Sequence, residues 1–177
     1  MRVLLALLLL LAFVGSAGAQ YPWGYQPYGG AYAPPVPRGP PVSLARGMLD
    51  AHNAVRIRVG VPPLVWSAQV AAVAQQWANY LIASHGFSHR PNNRYGENIY
   101  SISGDAASPA RVVGAWAEEV RAYDIRSNGC AGMCGHYTQI VWRMTRAVGC
   151  GVATDAEREI WVCDYDPPGN YVGERPY

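Results

Sequence analysis

The sequence predicts an α+β domain in which helices flank a small, mainly antiparallel sheet. Two observations carry this. Three stretches before residue 124 each carry a serine cap followed by apolar residues at helical spacing. Two later stretches rich in Val, Ile, Trp and Tyr lie close together, separated only by the polar Asp155-Ala156-Glu157-Arg158. At 177 residues, with no internal repeat, the chain has room for one domain of ordinary size.

Ser43 caps the first predicted helix, which runs to about Val59 with Leu44, Met48, Leu49, His52, Val55 and Arg56 at helical spacing. Gly60 and Pro62-Pro63 stop it. Ser67 caps the second, whose apolar face is Val70, Val73, Ala74, Trp77 and Leu81 and whose end is marked by Gly86. Ser108-Pro109 opens a third helix to about Tyr123. Ala147–Thr154 and Glu159–Asp166 read as a hairpin, and Asn98–Ile102 as a further strand.

Two segments precede this domain. Residues 1–19 read as a signal peptide: Arg2, an apolar run from Val3 to Val14, and the small-x-small site Ala17-Gly18-Ala19. That run is short for a bilayer span and no second one follows, so an exported chain (extracellular or periplasmic) with no transmembrane segment is expected. Residues 20–41 form a Pro/Tyr/Gly-rich tether in extended, polyproline-like conformation; Tyr21, Trp23, Tyr25, Tyr28 and Tyr32 make it a possible sticky arm. The domain then covers residues 42–177.

Composition excludes some partners. The 14 basic residues are all Arg, scattered rather than clustered, and the net charge is only +2, so nucleic acid is not expected as a partner. The four cysteines fall in the last third of the chain, and in an exported protein an even number reads as two disulfides. The hairpin sets Cys150 opposite Cys163, leaving Cys130 with Cys134.

Four segments carry a resemblance. They are His52-Asn53-Ala54-Val55-Arg56, Tyr95-Gly96-Glu97-Asn98-Ile99-Tyr100, Gly135-His136-Tyr137-Thr138-Gln139-Ile140-Val141-Trp142 and Cys163-Asp164-Tyr165-Asp166-Pro167-Pro168-Gly169-Asn170-Tyr171. In this order they resemble the motifs of the CAP superfamily, the cysteine-rich secretory proteins, antigen 5 and plant pathogenesis-related proteins. The resemblance implies an α-β-α sandwich (the SCP domain). It also implies a cleft lined by His89, Glu97, Glu119 and His136 that can hold a divalent metal such as zinc, the metal not being required for the fold. Asn98, Tyr123 and Gln139 are expected to support that cleft.

Helix geometry independently selects Glu119 over Glu118. Val112, Trp116, Glu119 and Tyr123 share one stripe, while Glu118 is turned about a hundred degrees toward solvent. The alternative to a metal site is a hydrogen-bonded polar cluster that pins helices and loops together. His52 reads as a core histidine satisfied by hydrogen bonds, and Trp66, Trp77, Trp116, Trp142 and Trp161 as packing residues.

No zinc-protease motif and no Ser or Cys nucleophile with a signature base is present, so no catalytic residue is assigned. Three functions stand. The first, which the resemblance implies, is a monomeric, secreted binding module for a lipid, sterol or cell-surface ligand. Alternatively the chain is a metal-dependent hydrolase, or a structural, adhesive protein acting through the Tyr/Pro arm.

Overall fold

The computed structural model describes residues 43–177; the expected signal peptide and tether lie outside them. Three helices start where their caps predict. The Arg46, Val70 and Arg111 N–H groups donate to the hydroxyls of Ser43, Ser67 and Ser108, each three residues earlier. These caps open α1 (Leu44–Arg58), α2 (Ala68–Ala83) and α3 (Pro109–Ala117). Between α1 and α2 lies a two-residue strand, β1 (Val65–Trp66).

The second helix ends one residue earlier than glycine chemistry suggests. His85, at φ 51°, takes the left-handed position, and Gly86 N–H returns to the Leu81 carbonyl at 3.0 Å. Gly86 thus follows the left-handed residue instead of supplying it.

The third helix also differs from expectation. It stops at Ala117 and tightens into a 3-10 turn, Glu118–Ala122, before the short strand β3 (Tyr123–Asp124) pairs with β4 (Gly129–Cys130). Tyr123 therefore lies on a strand, not on the helix stripe. The tightening accompanies tertiary bonds to Glu119, whose carboxylate is engaged by the next helix, α4 (Gly135–Ile140).

The main sheet has the order β1-β5-β6-β2, with β2 (Gly96–Ser103), β5 (Ala147–Thr154) and β6 (Arg158–Asp166) antiparallel and β1 parallel to β5. Successive side chains face opposite layers. Ile160 and Val162 pack with Ile99 against Ala74, Ala78 and Leu81 of α2. Trp161, Cys163 and Tyr165 pack on the other side with α1, α3 and α4, among Met48, Val112, Trp116 and Ile140. The result is an α-β-α sandwich.

Contact with α2 is closest at β5. A Cβ on Gly149 would stand 2.1 Å from the Ala71 nitrogen, and one on Gly151 2.4 Å from the Gln75 Cα, so only glycine lets helix backbone meet strand backbone. Both predicted disulfides are present. Cys150 and Cys163 sit opposite each other with Cα atoms 4.1 Å apart, and Cys130 and Cys134 are 5.9 Å apart.

Arg56, fully buried at the end of α1, locks the sandwich's far corner. Its guanidinium donates to the carbonyls of Pro62 at 2.7 Å, Ile140 at 2.7 Å, Trp142 at 2.9 Å and Thr145 at 3.2 Å. Burial pushes its pKa down to about 10 without discharging it near neutral pH.

Candidate functional site

Two consecutive residues of β2 reach into opposite layers and hold the two histidines. Glu97 projects toward the α2 side. Its Oε1 accepts from the His89 ring at Nδ1, 2.7 Å away, and from the Arg90 N–H at 3.0 Å. Asn98 projects the other way, and its Nδ2 donates to the His136 carbonyl at 3.0 Å.

His136 occupies the first turn of α4. Its Nδ1 lies 2.6 Å from Glu119 Oε1, while its own N–H donates to Glu119 Oε2 at 2.9 Å, joined by the Tyr137 N–H at 3.3 Å. Glu119 thus caps α4 from outside, in place of Cys134, whose side chain makes no cap bond. Glu118 pairs with Arg121 on the surface, as its helical phase predicts.

The four residues are therefore two His–Glu pairs. His89, Glu97 and His136 line one cavity of about 290 Å³ together with Asn98, Met133, Gly135 and Asn170; Glu119 stands behind His136. Among the described residues, no three His, Cys, Asp or Glu side chains close on a common point as a metal cage would. The hydrogen bond and charge of Glu97 raise the His89 pKa above its usual 6.5, partly offset by desolvation.

Of the three supporting residues, Asn98 touches His136. Gln139 is buried at the back, accepting from the Gly169 N–H at 2.9 Å, and leaves no room for a side chain at Gly96. Tyr123 instead donates to Asn128 and lines a neighbouring groove. That groove, about 380 Å³, runs on from the histidine cavity through Met133, Gly135 and Asn170, and its walls include Trp142, Tyr171, Val172 and Pro176. Met133, Tyr171 and Val172 are exposed along it.

Asp164, overlooked in the sequence, is fully buried opposite Glu97 on the α2 face. One oxygen accepts from Asn93 at 3.0 Å; the other has no partner, and neither has Glu97 Oε2. Burial, reinforced by the nearby Glu97 charge and opposed by the Asn93 bond, raises the Asp164 pKa to about 7. A lone acid in the run Ile160-Trp161-Val162-Cys163-Asp164-Tyr165 was the available signal.

Residues 49–165 match the family described as CAP, the cysteine-rich secretory protein family. The chain belongs to the CAP family. This CAP domain is 48% identical to pathogenesis-related protein 1A of Nicotiana tabacum over 132 residues, which is 73% of this chain and 78% of that protein. It is 43% identical over 139 residues to pathogenesis-related protein PR-1 of Medicago truncatula, covering 76% and 80%. Among solved structures, Schistosoma mansoni venom allergen-like protein 4 matches 76% of this chain and 94% of its own, at 28% identity and a TM-score of 0.63. NaASP2 with Zn2+ matches 76% and 85%, at 25% identity and a TM-score of 0.64. The CAP domain is thus of the pathogenesis-related type, and among its described residues no helix is long and apolar enough to cross a membrane.

Proposed function

We propose that this CAP domain is an exported binding module whose cleft takes a divalent cation between His89 and His136 and whose adjoining groove takes an apolar ligand of lipid or sterol type. The carrying observation is the pairing of both rings through Nδ1 with a carboxylate while both line one cavity. A carboxylate on Nδ1 fixes the ring's orientation and raises the basicity of Nε2, the nitrogen left for a metal. The donor chemistry fits such an ion: two imidazoles lining one cavity suit zinc, with the remaining positions of its shell left to water or ligand. The related NaASP2 structure carries Zn2+. When bound, the cation supplies a positive anchor for an oxygen-bearing group of the ligand.

The groove supports the second half of the reading. Met133, Tyr171 and Val172 expose apolar surface where the cavity opens into it, and apolar surface beside a polar anchor suits an amphipathic small molecule. Calorimetry with zinc on the exported chain tests the cation, with one site expected and lost in His89→Ala and in His136→Ala. Mass spectrometry of the natively purified protein tests the lipid. Absence of heat in the wild type overturns the metal reading, and absence of any co-purified or exchangeable apolar molecule overturns the other.

A further inference from the structure

His52 lies on α1, fully buried and outside the two His–Glu pairs, with Trp116 packed between its ring and that of His136, and its hydrogen bonds lead to the cleft. Its Nδ1 is 2.7 Å from the Met48 carbonyl, which can only accept, so Nδ1 carries the proton of the neutral ring. Nε2 is then bare, and the Tyr165 hydroxyl 2.8 Å away donates to it. That hydroxyl in turn accepts from Asn98 Nδ2 at 3.0 Å, and the second hydrogen of the same amide goes to the His136 carbonyl at 3.0 Å. The polarity of every link is fixed by the one before it. Burial, which pushes the His52 pKa down to about 4, keeps the ring neutral at physiological pH.

We infer that His52, acting through Tyr165 and Asn98, is a positioning residue for His136. Glu119 holds the N–H and the ring of His136 from one side; the Asn98 amide holds the carbonyl from the other. Without an acceptor at His52, the Tyr165 hydroxyl is free to donate to the Asn98 amide oxygen instead. The amide then turns over, and the His136 carbonyl faces an acceptor. A core histidine on α1 thereby sets the plane of the peptide that carries the cleft imidazole. The inference rests on the cation reading above only for its metal readout.

Three variants test it. Tyr165→Phe deletes one oxygen, His52→Leu removes both nitrogens, and His52→Gln keeps a donor for Met48 and an acceptor for Tyr165. Two readouts are taken: zinc affinity, and the nitrogen and proton NMR signals of the His136 ring, including the Nδ1 proton shared with Glu119. Tyr165→Phe and His52→Leu are expected to weaken zinc about tenfold, as outer-shell changes do, and to shift the His136 signals. His52→Gln is expected to restore both. Lower melting temperatures in Tyr165→Phe and His52→Leu with wild-type His136 signals and zinc affinity would show a purely structural role and overturn the inference. Should the wild type take up no zinc, the cation reading fails while the NMR signals still decide this one. Should His52→Leu not fold, Tyr165→Phe against His52→Gln carries the comparison.

Discussion

Replacing Asp164 by asparagine should stabilise the protein at neutral and alkaline pH. The folded protein keeps the Asp164 proton to about pH 7, whereas the unfolded chain releases it near 3.8. Between those values the folded state binds more protons, so stability falls as pH rises. At about 1.4 kcal/mol per pKa unit, the loss accumulated by pH 8 is roughly 4 kcal/mol. Asn carries no charge in either state and preserves an oxygen for Asn93. His52 works in the opposite sense. The unfolded ring takes up a proton below 6.5 and the buried ring only near 4, so stability is lost as pH falls through that window, by roughly 3 kcal/mol. From pH 4 to 6.5 the two groups largely cancel. Urea unfolding followed by tryptophan fluorescence from pH 4 to 8 separates them. The wild type should be nearly flat to pH 6.5 and decline above it, while Asp164→Asn should climb from pH 4 to 6.5 and exceed the wild type by about 2–4 kcal/mol at pH 8. Parallel curves for the two proteins, or a less stable variant at pH 8, would refute the reasoning.

Three further outcomes are expected. Zinc affinity, measured by calorimetry, should drop as pH falls through the raised pKa of His89, because a protonated ring cannot ligate. His85→Gly should raise the melting temperature by about 3–5 °C, since glycine takes the left-handed position at about 1 kcal/mol less cost. Gly149→Ala should cost about 3 kcal/mol or more in chemical denaturation, because its methyl group would meet helix backbone, which cannot step aside as a side chain can.

Local signals were legible and tertiary ones were not. The caps at Ser43, Ser67 and Ser108 and the strands of the β5–β6 hairpin follow from residues near one another in the chain, so pattern alone placed them. The hairpin register in turn fixed the Cys150–Cys163 bridge. The end of α3 could not be read this way. Its apolar stripe continues to Tyr123, but bonds from α4 to Glu119 and the pairing of Tyr123 with Cys130 compete with further helix. α4 itself is only six residues long and takes its cap from a residue 17 positions away. β1 has two residues and exists only through its parallel partner. At the site, motif resemblance named the four residues, and geometry then arranged them as two pairs. Asp164 and Arg56 gave weaker signals, because a buried charge is recognised by the partners around it, and those come from other parts of the chain.

The glycines of β5 have a consequence for motion. Interlocked side chains can switch rotamers and let two elements slide, but main chain pressed on main chain has no such slack. Helix α2 and the sheet are therefore expected to travel as one plate, with breathing of the domain directed to the opposite layer, where α1, α3 and α4 meet the sheet through larger side chains such as Trp116, Tyr137 and Tyr165. His89 follows α2 and belongs to the plate expected to be stiff; His136, on α4, belongs to the opposite layer. The spacing between the two imidazoles is thus a gauge of the play between layers, and whatever bridges them clamps a joint that the rest of the core leaves adjustable.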